Sequence, residues 1–265
     1  MATNHTTSIE IKDGINSQEY FAFEQPNKLI VFVHGFGGGA ISTWNNFSSM
    51  LLMDNDFAKS DIIFYGYDTL KGQAGDHSAE FYHFLEKALA PVANDLLPPG
   101  QQLNERNYDS ILIIAHSLGS VIVRQALLLA NTDKKKWVAK TSMALFAPAH
   151  IGANVISLAM EALPGLWNLV GVFARYKYPI LNDLNPKESE ILKIIKEKSA
   201  KLQESDAGEF TKAKLVVYAK GDKVVKNVQY LEDKPAEVMQ NKTHTTVCKP
   251  TEEYKNPVIF IKQLI

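Results

Sequence analysis

One serine stands where the chain must change direction abruptly. Ile111, Leu112, Ile113 and Ile114 form an unbroken apolar run, Ala115-His116-Ser117-Leu118-Gly119 follows, and an apolar stretch of helical character continues to about Ala130. No turn-forming spacer lies between, so Ser117 must occupy the bend itself. A residue in such a bend adopts a strained backbone conformation with its side chain projecting from the end of the sheet, and only small neighbours two positions away avoid a clash. Ala115 and Gly119 meet that requirement. The bend also places Ser117 at a helix N-terminus, where the N–H of Leu118 lacks an intrahelical acceptor and the helix dipole favours negative charge. The chemistry implied is nucleophilic attack on an acyl carbon, with the oxyanion held by backbone donors. A serine that starts a helix is otherwise only a cap; it is the small-residue flanks after a buried strand that favour the nucleophile.

Serine is a weak nucleophile and needs a base, which needs an orienting acid. The stretch resembles the nucleophile elbow of the α/β-hydrolases, with Ala115 where that family usually has glycine. The resemblance implies the chain order serine, acid, histidine. Past Ser117 the histidines are His150 and His244, and His244 lies in the polar loop Asn241-Lys242-Thr243-His244-Thr245, where the family places its base. Asp222 follows the apolar run Lys214–Ala219, at a strand end of the kind where sites gather in open α/β sheets. Asp206 and Asp233 compete for the acid's role. His116 points away from the hydroxyl of its neighbour and reads as a wall of the cleft.

By the same resemblance, His34-Gly35-Phe36-Gly37-Gly38 is an oxyanion loop in which the backbone N–H of Phe36 joins that of Leu118. Each such donor lowers a barrier by roughly 3–4 kcal/mol. Gly35-x-Gly37-x-x-Ala40 also satisfies a relaxed dinucleotide fingerprint, with Asp68 as ribose partner, but that reading leaves His34 and the Ser117 bend unexplained. Trp44, the Ala147-Pro148-Ala149-His150-Ile151-Gly152 turn and Thr243-His244-Thr245-Thr246-Val247-Cys248-Lys249-Pro250 extend the pattern. Together these segments resemble the lipase-like serine esterases related to GPI inositol-deacylase and the SERAC1-type proteins, over about residues 29–252. Those relatives act on acyl esters, often of lipids. His150 falls where they carry a proline–histidine–glycine–serine-like turn, and is expected to line the cleft.

The elements that must position these residues alternate along the chain. Short strands at Ser8–Lys12 and Tyr20–Phe23 flank a turn at Asp13-Gly14. Leu29–His34 and Ile62–Tyr67 are continuous apolar runs, as in strands buried on both faces, and Ser142–Phe146 and Lys214–Ala219 are further strands. Helices are expected over Thr43–Met53 and from a cap at Ser78 through Leu96, kinked at Pro91 and stopped by Pro98-Pro99-Gly100. A third starts from an Asn185 cap with Pro186 in its first turn. Val258–Ile265 is a terminal strand or helix. Strand–helix alternation argues an α/β fold with a mostly parallel, doubly wound sheet, hence an α/β-hydrolase fold in a single domain over residues 1–265. The insert Ile151–Ala213 would be a helical cap. It holds Val155, Leu158, Met160, Leu163, Leu166, Trp167, Leu169, Val170, Val172 and Phe173, which either form an acyl-chain pocket or pack the cap onto the sheet.

Composition sets the outer bounds. The chain has 265 residues, 46% of them hydrophobic, enough for a full core. A formal charge of −1 gives no electrostatic attraction to nucleic acid. The opening residues lack the basic and apolar regions of a secretory signal, Val155–Ala174 is broken by Glu161, Pro164, Gly165, Asn168 and Gly171, and Cys248 is the one cysteine. A cytoplasmic protein without a membrane span is therefore expected, with peripheral membrane contact left open. With neither H-E-x-x-H nor paired cysteines, the expected chemistry calls for no metal or organic cofactor. The reading is a serine carboxylic-ester hydrolase acting through Ser117, Asp222 and His244 on a small-molecule or lipid acyl ester. The alternatives are a thioesterase, amidase or acyltransferase on the same residues, or a non-catalytic binding module on this fold.

Overall fold

The computed structural model describes residues 3–91, 96–97, 105–162 and 178–265. Its strands are β1 (Ile9–Glu10), β2 (Gln18–Tyr20), β3 (Lys28–Val33), β4 (Ser60–Tyr65), β5 (Ser110–His116), β6 (Thr141–Phe146), β7 (Ala213–Ala219) and β8 (Glu237–Met239). They form one eight-stranded sheet in the order β1-β2-β4-β3-β5-β6-β7-β8. β1 and β2 are antiparallel additions at one edge; every pairing from β4 through β8 is parallel. The register sets Val33 beside both Tyr65 and Ala115, and His116 beside Phe146. The loops leaving β3, β5 and β6 therefore emerge together at one rim.

Among the described residues six α-helices surround the sheet: α1 (Phe47–Leu52), α2 (Ala74–Ala88), α3 (Leu118–Thr132), α4 (Val155–Ala162), α5 (Glu190–Gln203) and α6 (Asn256–Lys262). Successive strand residues point to opposite faces, and β4 shows both. Phe64 stacks on Phe32 at 4.5 Å, which meets Trp44 and Phe47 on the α1 side. The next residue, Tyr65, packs on Phe81 and Phe84 of α2. The helices accordingly pack in two groups, α2 with α3 and α5, and α1 with α6. Both faces of the central strands are covered, which is why their sequences are apolar without alternation.

Several local expectations are corrected. α2 ends at Ala88, before Pro91, so the proline kinks nothing; Val92 and Pro98-Pro99-Gly100 lie outside the described residues. Its cap is Gln73, in a reciprocal box with Asp76, whereas the Ser78 hydroxyl donates to the carbonyl of Ala74 one turn back. Residues 43–46 are turns and α1 starts only at Phe47. Ser189, not Asn185, caps α5, accepting the N–H of Leu192; Asn185 instead folds a turn that includes Pro186 and Glu188. The chain end is helical, α6, and the edge strand β8 had no sequence signal because its three residues are mostly exposed. Between β6 and β7 the described residues are helical throughout their regular parts, and α5 packs against α3. The apolar positions Leu163, Leu166, Trp167, Leu169, Val170, Val172 and Phe173 lie outside the described residues.

Gly119 governs how closely α3 approaches the sheet. A Cβ there would sit 2.5 Å from the carbonyl oxygen of Val33 and 2.6 Å from that of His34, both backbone atoms that cannot yield. Gly119→Ala should therefore push α3 off β3 and cost about 1–3 kcal/mol of stability, read as a lower urea midpoint with an unchanged slope.

At the opposite end of the sheet lies a buried acidic cluster. Asp61 accepts both contacts from Arg106 (2.9 and 3.0 Å), the Tyr108 hydroxyl at 2.7 Å and the Ala22 N–H at 2.8 Å. Its neighbour Glu19 has no partner on Oε2. Burial first, and the Asp61 charge second, push the Glu19 carboxyl well above its ordinary value against the pull of Arg106. The folded protein thus holds a proton on Glu19 that the unfolded chain releases as pH rises, so folding weakens with pH above the ordinary carboxyl range. Glu19→Gln should raise the thermal midpoint at pH 8 and leave it nearly unchanged at pH 4; calorimetry at the two pH values tests the sign.

Candidate active site

Ser117 occupies the bend between β5 and α3 with φ 52° and ψ −120°. Left-handed φ is costly for a residue with a side chain, so the surroundings must hold it there. Its N–H donates to Phe146 at 3.0 Å, and its carbonyl accepts from the Ser120 N–H at 3.0 Å, the Ser120 hydroxyl at 2.6 Å and the Ala149 N–H at 3.2 Å. β6, the loop after it and α3 thus pin the residue through its own backbone. Gly35, at the end of β3, abuts the other side, where a Cβ would lie 2.8 Å from the Cβ of Ser117.

The three side chains singled out in sequence meet. The Ser117 hydroxyl lies 2.8 Å from His244 Nε2, and His244 Nδ1 lies 2.9 Å from Asp222 Oδ2. Ser117 and His244 are each 1% exposed, so the contact is shielded from water. Burial alone would raise the Asp222 carboxyl, but the hydrogen bond and charge of His244 and the N–H groups of Val225 and Val224 outweigh it and hold it below the ordinary range. An ionised Asp222 can only accept, so Nδ1 carries the imidazole proton and Nε2 presents a lone pair to the serine hydroxyl. The other Asp222 oxygen is fixed by the N–H groups of Val224 at 2.8 Å and Val225 at 3.0 Å. A chain of this polarity can take a proton from the hydroxyl as it attacks and return it to a leaving group.

Among the described residues, neither the N–H of Phe36 nor that of Leu118 donates a hydrogen bond. Their loop is held by other groups. His34 Nδ1 donates to the carbonyl of Gly35 at 2.9 Å, which also accepts the Gly38 N–H at 3.0 Å. His34 Nε2 accepts the Tyr67 N–H at 3.2 Å, the Tyr67 hydroxyl donates to the His34 carbonyl, and the two rings stack. Burial draws His34 down to about 4, so it is neutral and can accept. The Thr69 hydroxyl accepts the N–H of Gly37 at 2.9 Å. Sequence reasoning missed Tyr67 and Thr69; the only hint was their place at the end of the strand beside β3. The end of α4 closes over the same loop, since a Cβ on Gly37 would lie 2.6 Å from that of Ala162.

The remaining candidates separate by environment. Asp233 forms a buried ion pair with Arg124 and accepts the Ala213 N–H at 2.8 Å. It is therefore committed away from His244; the Asp206 side chain lies outside the described residues. His150 stacks on Tyr230 at 4.1 Å and meets the Tyr218 hydroxyl at 3.3 Å, 3% exposed, so it is packed beneath the rim rather than lining an open cleft. His116 is buried, and its Nε2 reaches the backbone carbonyl of His244. The dinucleotide reading has no helix to support it, since α1 starts seven residues after Ala40. Glu161 of α4, unmarked in sequence, is half-buried and senses His244 and Asp222; burial raises its carboxyl and His244 opposes the rise. No helix among the described residues is long and apolar enough to cross a membrane.

Comparison with solved structures supports the same architecture. Lipase BlEst2 of Bacillus licheniformis in its mature form superposes with a TM-score of 0.57 at 15% identity, covering 92% of this chain and 96% of the lipase. The peroxisomal α/β-hydrolase Lpx1 of Saccharomyces cerevisiae gives 0.55 at 9% identity, covering 97% and 85%. Carboxyl esterase 2 of Tuber melanosporum gives 0.53 at 15%, covering 99% and 85%. At these identities the likeness establishes the α/β-hydrolase fold. No protein of curated function matches the sequence. The family described as "Putative serine esterase (DUF676)" matches residues 23–160, a segment that runs from before β3 into α4 and includes Ser117. The chain therefore belongs to this DUF676 family, on an α/β-hydrolase fold.

Proposed function

We propose that the protein hydrolyses carboxylic esters through Ser117, His244 and Asp222. The observation that carries the reading is the unbroken, water-shielded chain from Asp222 Oδ2 through His244 to the Ser117 hydroxyl. His244 Nε2 takes the hydroxyl proton as Ser117 Oγ bonds to the acyl carbon, and the carbonyl electrons move onto oxygen. The free N–H groups of Phe36 and Leu118 receive that oxyanion. His244 then returns the proton to the departing alkoxide, leaving an acyl-serine, and repeats the two transfers with water to release the acid. Asp222 fixes the tautomer and offsets the imidazolium charge. The substrate is an acyl ester of a small molecule or lipid, bound beside α4, whose end touches the His34–Gly38 loop. The buried, unpaired Cys248 fits a reducing compartment and hence the cytoplasm.

Ser117→Ala is expected to lower turnover of a p-nitrophenyl ester by about four to six orders of magnitude and to abolish labelling by a fluorophosphonate. Asp222→Asn should keep the fold and lower kcat by roughly four orders of magnitude, because an amide NH2 facing Nδ1 favours the wrong tautomer. Full turnover in the serine variant, or an unlabelled native protein, would refute the assignment.

A further inference from the structure

We propose that His116 is a positioning residue that holds the backbone of the base. This rests on the proposed role of His244. His116 is the residue before Ser117, and the strand alternation of β5 sends its ring away from the hydroxyl. The ring lands against the His244 loop, 5.0 Å from the imidazole of His244, with Nε2 2.9 Å from the carbonyl oxygen of His244. A carbonyl can only accept, so Nε2 carries the proton and His116 is the donor. Among the described residues no backbone N–H donates to that carbonyl. The loop around it is a turn, closed by the N–H groups of Thr246 and Val247 on the carbonyl of Thr243. No sheet ladder fixes the backbone of residue 244, and the imidazole of His116 supplies the missing constraint. The far side of that imidazole is also confined, since a Cβ on Gly35 would lie 3.0 Å from Nδ1, and the Trp44 ring meets it edge-on.

One dipeptide therefore carries both the nucleophile and the clamp on its base. The distance from Ser117 to His244 is set through two adjacent residues, the last of β5 and the bend that follows it, not through the length of the intervening chain. The clamp also suits the charge that catalysis creates. Burial, then the neighbouring His244, keep His116 neutral, down to about 3, so no second cation forms beside the imidazolium.

The test compares His116→Phe, His116→Asn and His116→Gln. Glutamine places an amide N–H near the position of Nε2, whereas asparagine is polar but falls one methylene short, and phenylalanine fills the space without a donor. With p-nitrophenyl butyrate, per mole of folded protein, the phenylalanine and asparagine variants should lose roughly ten- to a hundredfold in kcat with KM within about twofold, and glutamine should recover most of the loss. Amide exchange at Thr246 and Val247 should quicken in the first two variants and return toward native rates in the third. Native exchange in the asparagine variant, or a glutamine variant as impaired as asparagine in both readouts, would overturn the proposal. If phenylalanine does not fold, the asparagine–glutamine pair decides alone. Exchange is read without turnover, so retained activity in Ser117→Ala would sink the esterase reading while the exchange data still judge the clamp.

Discussion

The site depends on a close approach that nothing can relieve, where the Ser117 bend crosses the end of β3. Gly119 faces the carbonyls of Val33 and His34, and Gly35 faces the Cβ of Ser117, all at distances that admit no further atom. A left-handed serine stores about 1–3 kcal/mol of backbone strain. Four hydrogen bonds on its own N–H and carbonyl, drawn from β6, α3 and the loop after β6, keep it from relaxing. Ser117 is thus held as part of the sheet's packing, and the His34–Gly38 loop proposed to hold the oxyanion is brought beside it by the same contact.

Burial then sorts the histidines. His34, His116 and His150 are enclosed with at most neutral hydrogen-bonding partners, and desolvation keeps all three uncharged. Each can act only as a fixed hydrogen-bonding group: His34 on the carbonyl of Gly35, His116 on the carbonyl of His244, His150 on Tyr218. His244 alone has a carboxylate on one nitrogen and a hydroxyl on the other. Identical side chains within one rim are given different work by the charge their surroundings can tolerate.

Buried charge outside the site follows a similar rule. Asp61 is surrounded by donors, and Asp233 is matched by Arg124, which also lies over the Tyr230 ring and donates to the carbonyl of Thr211. The Arg124 pair ties α3 to the segment that follows β7, and so braces the helix that starts after Ser117 against the strand that leads to Asp222. Glu19 is the exception, buried beside Asp61 with an oxygen unpaired, and it settles the conflict by keeping its proton.

Much of this was legible in the residues. Four apolar positions running straight into A-H-S-L-G allow only one kind of bend, and chains of buried β-branched residues alternating with helical stretches allow few folds, so the elbow, the parallel sheet and the candidates Ser117, Asp222 and His244 could be read from local pattern and order. Helix ends could not, because Gln73 and Ser78, or Asn185 and Ser189, are all competent caps, and packing chooses between them. In sequence Asp222 is preferred to Asp233 only for its place just past a strand, and it is the folded chain that sets Asp222 against His244 and Asp233 against Arg124. The roles of Tyr67, Thr69 and His116 were out of reach for the same reason. Sequence specifies which groups exist and which backbone shapes they tolerate, while a hydrogen bond between residues 116 and 244 depends on where two distant segments come to rest, and only the folded sheet decides that.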